Sequence, residues 1–336
     1  MTRTGSRTRR TRVAMAALAT AGLLGACNGS SEPEVTIGLI TKQEDNAYWV
    51  KMRSIAEDTA DDLGATLLTA TGTSDVDVAA QEQALRSMVE DGAQGILITP
   101  NDSSALNGVI AEIREGGVPV IALDTPVEPA DAVDAYYGTD NLRAGQLIGQ
   151  YAAAKVDELG LDPKIALLDL APDIISGEER LEGFLEGFGI AADDAMVVGR
   201  EDTEGNRELG EAAMATILAA TPDVNVVYTV NERAALGALV ALEDAGANLD
   251  EVVVVSIDGG CDAIKDAVRP GRIDATSMQF PENMAREGVR DLVAAARGGE
   301  TPTGYLDTGV ELITGDPATG VDARDVAYGV RNCWGD

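Results

Sequence analysis

From Val35 onward, strand-like and helix-like segments alternate with few exceptions, and that alternation is what most restricts the fold. Short apolar runs rich in β-branched residues read as strands near 35–40, 65–69, 95–98, 118–123, 164–169, 195–199, 225–229 and 252–257. Between them the spacing predicts helices near 47–63, 77–90, 103–115, 141–158, 178–187, 207–219, 232–245 and 261–268, with Gly64, Gly92 and Gly116-Gly117 as stops. Such a succession builds parallel sheets covered by helices. A chain of 336 residues has room for two of these units. The stretch 273–336 adds a short strand near 273–277, a helix near 282–297 and a tail of strand-like pieces, too little for a third. Its natural use is to recross to the first unit and return. The predicted fold is therefore α/β, two similar doubly wound parallel-sheet lobes joined by a multi-stranded hinge. The expected boundaries are 35–139 plus 280–308 for the N-terminal lobe and 140–279 plus 309–336 for the C-terminal lobe. Lobes joined by several crossings close like a hinge.

The N-terminus is expected to lie outside this fold. Residues 1–12 carry Arg3, Arg7, Arg9, Arg10 and Arg12 with no acid, a short apolar run follows from Val13 to Leu24, and then comes Leu24-Gly25-Ala26-Cys27. This resembles a bacterial lipoprotein signal over 1–26, with cleavage before Cys27 leaving that cysteine to carry lipid; an ordinary signal peptide with a chance cysteine is the alternative. The apolar run is too short to span a bilayer. Residues 27–34 then form a flexible tether.

Removing residues 1–26 takes five positive charges from a chain of net charge −32 and leaves the mature protein near −37. So acidic a surface excludes nucleic acid as a natural partner and leaves the membrane to be met only through the N-terminal lipid. With Cys27 assigned to lipid, Cys261 and Cys333 remain, and in an exported protein they most simply form one disulfide, two buried free thiols being the alternative. Histidine is absent, which removes Ser-His-Asp and Cys-His nucleophiles, imidazole metal sites and histidine bases. No P-loop, GxSxG or CxxC pattern is present, and no metal or cofactor is called for.

Only 12 of the 336 residues are aromatic, so an adjacent Tyr48-Trp49 where the first strand delivers the chain to a helix is an uneven use of a scarce resource. Ligands bind outside the carboxyl ends of parallel strands, where this pair stands. The pair is either one wall of a small-molecule site or core beneath the first helix. Polar residues recur at the other strand exits: Thr41, Thr99, Asp124, Asn231, Asp258 and Gln279. Two facing sheet edges with carboxylates, amides and an aromatic wall suit a neutral polyol. Taken singly, each such residue is as readily a helix cap. Lys42, Glu44 and Asp45 read as a solvated loop.

The runs GILITPNDSSAL (Gly95 to Leu106), VIALDTP (Val120 to Pro126), GTDN (Gly138 to Asn141), VYTVNERAALGAL (Val227 to Leu239) and VVSIDGG (Val254 to Gly260), with Thr41-Lys42 and Asn46 to Trp49, resemble the periplasmic sugar-binding proteins of ABC importers, type I, ribose-binding-like. LITK, ILITP, ALDTP, the LDLAP at Leu168 to Pro172, LDTG (Leu306 to Gly309) and the closing NCW (Asn332 to Trp334) are most similar to the fructose-binding branch. The resemblance implies a monomer that captures a monosaccharide, fructose first, and hands it to an ABC permease and its ATPase subunit. It places Asn46, Tyr48, Trp49, Thr99 and Asp124 on the first lobe, Thr139 at a crossing, and Arg180, Asn231, Asp258 and Gln279 on the second. Tyr48 and Trp49 would sandwich the ring while Asp124, Asn231 and Asp258 hold hydroxyls. Glu178 and Thr125 stand where ribose binders have arginines, which argues against ribose.

Three rivals are weighed against this. Sugar-responsive repressors share the two-lobe fold, but the signal segment occupies the place of their DNA-binding headpiece. An enzyme could use Asp124 and Asp258 as acid and nucleophile, yet no helper motif accompanies them. A sugar sensor feeding a signalling partner would use the same binding chemistry.

Overall fold

The computed structural model describes residues 1–2, 4–5 and 34–335. Cys27, and with it the signal and lipid reading, lies outside the described residues.

The first sheet is built from β1 (Val35–Thr41), β2 (Ala65–Thr71), β3 (Ile96–Ile98), β4 (Val120–Leu123), β5 (Ala135–Gly138) and, from far along the chain, β11 (Gly304–Asp307). Their order is β11-β5-β4-β3-β1-β2, every neighbouring pair parallel. Successive side chains of a strand face opposite ways, and β1 shows it. Ile37 and Leu39 pack with Met52 and Ala56 of α1 (Ala47–Asp62) and with α9 (Pro281–Ala296), whereas Ile40 packs with Leu85 of α2 (Val78–Glu90) and Ile110 of α3 (Asn107–Glu115). Each such fully buried Ile or Leu contributes roughly 1.5–3 kcal/mol.

The second sheet contains β6 (Ile165–Asp169), β7 (Val197–Asp202), β8 (Val226–Thr229), β9 (Val253–Asp258), β10 (Ala275–Gln279), β12 (Val310–Thr314) and β13 (Arg324–Asp325). The order is β13-β12-β10-β9-β8-β6-β7, parallel except where β12 runs against β10. It is covered by α4 (Asn141–Leu159), α5 (Ile175–Phe188), α6 (Arg207–Ala220), α7 (Glu232–Asp244), α8 (Cys261–Ala263) with the π-helical turn Ile264–Val268, and α10 (Val326–Asn332). The chain passes from the first sheet to the second between β5 and α4, back between β10 and α9, and over again between β11 and β12. Among the described residues no helix is long and apolar enough to cross a membrane.

Three elements depart from the sequence expectation. The tail is not wholly strand-like: Val326–Asn332 is helical because Asp325 accepts from the Tyr328 amide at 2.7 Å and Val326, Tyr328 and Val330 pack on the second lobe, overriding their strand propensity. β5, Ala135–Gly138, was not expected because AYYG has no β-branched residue and no apolar run of the kind that marks β3 and β4. The helix expected from 103 begins at Asn107, since Asp102 takes the amides of Ser104 and Ala105 at 2.7 and 2.6 Å and holds a turn there.

Candidate sugar site

The carboxyl ends of both sheets face a small cavity of about 30 Å³. Two features of the chain aim carboxylates into it. Asp124, just past β4, and Asp258, the last residue of β9, both have left-handed backbones, φ 63° and 110°. Non-glycine residues adopt that conformation at a cost, and such strain concentrates at functional sites.

On the first-lobe side, Tyr48 donates its hydroxyl to Asp124 Oδ1 at 2.8 Å, and Thr125 donates to Asp124 Oδ2 at 3.0 Å. Asn46 caps α1 by accepting from the Tyr48 amide at 3.0 Å, which fixes the start of the helix that carries both aromatics. Trp49 donates Nε1 to Asp75 Oδ1 at 3.3 Å, Gln43 donates to the same oxygen at 2.7 Å, and Lys42 Nζ stands 5.7 Å from the centre of the Trp49 ring. Burial pushes the Asp75 carboxyl up, against the pull of Lys42. Burial likewise pushes Lys42 down, against Asp75 and Asp124.

On the second-lobe side the organiser is Arg180, 5% exposed. It donates Nε to Asn141 Oδ1 at 2.9 Å and Nη1 to the Val230 carbonyl at 3.1 Å and to Asp258 Oδ1 at 3.3 Å. Its height over the cavity is set by the contact of α4 with α5. Gly145 and Gly149 of α4 lie directly against the backbone of α5, and Gly183 and Gly187 of α5 against that of α4, so no side chain fits between them. Burial opposes the guanidinium charge, but Asp258 and Asp124 more than offset it and Arg180 is held above its ordinary pKa. Gln279 donates to Asp258 Oδ1 at 2.6 Å, and its own Oε1 is buried without a partner among the described residues. Burial pushes Asp258 up to about 6, Arg180 pulling against that and Asp124 adding to it. Behind it, burial and then Asp258 hold Glu232 well above the usual carboxylate range.

Of the residues expected from sequence, Asn46, Tyr48, Trp49, Asp124, Arg180, Asn231, Asp258 and Gln279 line this one cavity. Thr41, Thr99 and Thr139 do not. Thr99 Oγ1 is turned to the Ile40 carbonyl at 3.4 Å, and the buried Thr139 Oγ1 has no partner among the described residues. Asn231 also caps α7, accepting from the Ala234 amide at 2.9 Å, so its cap reading holds beside its lining position. The aromatic sandwich is not formed: Tyr48 and Trp49 meet edge to face, 4.7 Å between centres at 88°, and leave no slot between parallel faces. They line the cavity and belong to the first-lobe core together, so wall and core are one answer.

Four lining residues lay outside the sequence expectation: Lys42, Asp75, Leu170 and Ser176. Lys42 is buried rather than solvated, held between Asp75 and the Trp49 ring; Glu44 and Asp45 are exposed as expected. Asp75 follows β2 by four residues, and the strand-exit pattern reaches it only once β2 is seen to run to Thr71. A larger groove of about 400 Å³ runs over Asp169–Pro172 and Arg200–Asp202, sharing only Leu170 with the cavity between the sheet ends. Among the described residues no cluster of three or more acids and cysteines could hold a metal ion.

The model of the periplasmic binding protein domain matches residues 37–300. The ribose import binding protein of Salmonella typhimurium is 32% identical over 255 residues, 76% of this chain and 82% of its own length. That of Bacillus subtilis is 28% identical over 269 residues, 79% of this chain and 84% of its own. A carbohydrate transporter solute-binding protein from Agrobacterium radiobacter, solved with D-arabinose, superposes with a TM-score of 0.77 at 26% identity, over 84% of this chain and 95% of its own.

Proposed function

The chain belongs to the periplasmic binding protein family, whose members bind solutes for transport and are not enzymes, and from that premise we propose that it captures one neutral monosaccharide between its lobes and delivers it to an ABC permease. The observation that carries the reading is the pairing of carboxylates from both lobes, Asp124 and Asp258, on one cavity together with Lys42 and Arg180. Asp75 adds a third carboxylate to the lining, but burial pushes both it and Asp258 toward the neutral acid, so the two cations are nearly balanced and the site asks no charge of the ligand. Hydroxyl groups can donate to the two carboxylates and to the unpaired Gln279 Oε1, and accept from Arg180 and Asn46. About 30 Å³ holds a water and not a sugar ring, so entry requires the lobes to part about the three crossings. Sugar bridging Asp124 and Asp258 then favours closure by its differential affinity for the closed form.

Fructose is the sugar proposed first, on the LITK, ILITP, ALDTP and LDLAP motifs. A pentose is the second reading, favoured by relatives named for ribose and solved with D-arabinose. The lobes are taken as 35–139 plus 280–308 and 140–279 plus 309–336, in a monomer tethered by lipid on Cys27 to the outer face of the cell membrane. Titration calorimetry of the mature protein against fructose, ribose, arabinose, xylose, glucose and inositol tests the ligand. Heat from one or more of them is expected; no heat and no thermal shift with any would end the monosaccharide reading. Cys27→Ala should move the protein from the membrane fraction to the soluble one.

A further inference from the structure

Cys333 and Trp334 are consecutive residues that pack into the cores of different lobes. Cys333 lies with α10 against the second-lobe cluster that contains Ile264, Val268 and Ile313. Its Cα is 4.9 Å from that of Cys261, and the two sulfurs stand at disulfide-bonding distance. One residue on, Trp334 is 2% exposed inside the first-lobe cluster of Tyr48, Trp49 and Ala56. Its ring meets Tyr48 edge-on, 4.9 Å between centres at 81°.

The tail is held on both sides of that step. The Trp334 carbonyl accepts from the Cys261 amide at 2.8 Å, and a Cβ added to Gly260 would come within 2.9 Å of Trp334 Cζ3. On the other side, a Cβ added to Gly335 would come within 2.6 Å of Ala47 Cβ, at the start of α1. The indole therefore fills the space between the corner after β9 in the second lobe and the first helix of the first lobe. Tyr48, against which it rests, donates to Asp124 in the cavity, whereas Trp334 itself is absent from the lining.

Unlike the three chain crossings, this link is covalent to the second lobe only. When the lobes part, the ring must leave Tyr48. Its Nε1 is buried with no acceptor among the described residues, which offsets part of the packing gain and suits a contact that has to break. We propose that Trp334 is a closure latch: anchored to the second lobe through Cys333, it engages behind Tyr48 as the lobes close and sets how long the protein keeps its sugar. The proposal rests on the sugar-capture reading. Trp334 acts by positioning Tyr48 and not by touching the sugar.

A contact made only on closing slows release and leaves encounter alone. Stopped-flow binding of fructose, or of ribose if fructose gives no heat, is compared for wild type, Trp334→Ala, Trp334→Phe and Cys333→Ser. Trp334→Ala should raise the dissociation rate about tenfold while the association rate stays within about twofold, as loss of closed-state stabilisation alone requires. Trp334→Phe, keeping an aromatic edge, should recover most of it, and Cys333→Ser should release sugar faster than wild type. A wild-type dissociation rate in Trp334→Ala or Cys333→Ser overturns the latch, as does weaker binding that comes wholly from slower association. If Trp334→Ala does not fold, Cys333→Ser decides, because it removes the bond to Cys261 and leaves the Trp334 ring itself in the chain.

The two tryptophans allow a readout that needs no sugar. In Trp49→Phe protein the emission reports Trp334 alone, and adding Cys333→Ser should increase its quenching by acrylamide. Unchanged quenching overturns the latch, and a failed sugar panel with increased quenching overturns only the sugar reading.

Discussion

Ser103 Oγ, on the first lobe, accepts a hydrogen bond from the Ile175 amide of the second at 3.0 Å. That amide is the first of α5, whose N-cap residue Ile174 has no polar side chain to offer. The return bond runs from the Ser103 amide to the Asp173 carbonyl at 3.0 Å, and Asp173 is held at φ 65°. The helix that carries Ser176 and Arg180 is thus capped from across the cleft, and closing completes it. Loss of a serine cap costs about 1 kcal/mol, close to fivefold in affinity. Ser103→Ala should therefore weaken sugar binding about fivefold by calorimetry with little change in the melting temperature of open protein. An unchanged dissociation constant would mean the bond is as good with water.

Tyr48 and Trp49 serve the core and the cavity at once, which separates their variants. Trp49→Ala removes a 5% exposed indole from the first-lobe cluster, so it should cost about 3–5 kcal/mol in urea unfolding as well as abolish sugar binding. Tyr48→Phe keeps the ring and takes one donor from the buried Asp124, for a loss of about 1–3 kcal/mol. A Trp49→Ala protein with wild-type stability would show that the ring is wall and not core.

What the sequence could tell of this site follows from what each side chain does. Asp124 and Asp258 were legible because each follows a largely apolar strand, VIAL and VVVSI, whose exit brings it to the cleft. The same rule names Thr41 and Thr99, and the family resemblance names Thr139, yet none of the three is in the lining: position at a strand end does not say which way a side chain turns, as Thr99 Oγ1 on the Ile40 carbonyl shows. Lys42 was hidden for the opposite reason. A lysine beside Gln43, Glu44 and Asp45 looks solvated until Asp75, 33 residues on in the chain, is folded against it. The lobes were legible from periodicity, whereas the helix at Val326–Asn332 depended on a packing surface made elsewhere.

Cys261 and Cys333 are separated by 72 residues, and a bridge closing such a loop stabilises by about 4 kcal/mol in the chain-entropy account. Thiol titration of the exported protein in denaturant should find neither cysteine free, and Cys333→Ser should lower the urea midpoint accordingly. Two titratable thiols per chain would show the pair to be reduced.

Asp258 gives the site a pH dependence. Burial pushes its carboxyl up to about 6, from an ordinary 3.8, with Arg180 opposing and Asp124 and Asp75 adding. Between these values the folded protein holds a proton that the unfolded chain has lost, so stability falls as pH rises from about 4 to about 6 and is fully reduced above that. Asp274, also pushed up to about 6 by burial, adds a similar fall away from the cavity. The difference between wild type and Asp258→Asn isolates the site: any advantage of wild type in melting temperature should shrink between pH 4.5 and 7. Sugar acts in the reverse sense. A hydroxyl that donates to Asp258 favours the carboxylate, so binding below about pH 6 must expel the proton and affinity should rise from pH 5 to 7. Calorimetry in buffers of different ionisation heat should register proton release at pH 5.5 and none at pH 8; affinity independent of pH, with no proton released, would place the sugar away from Asp258.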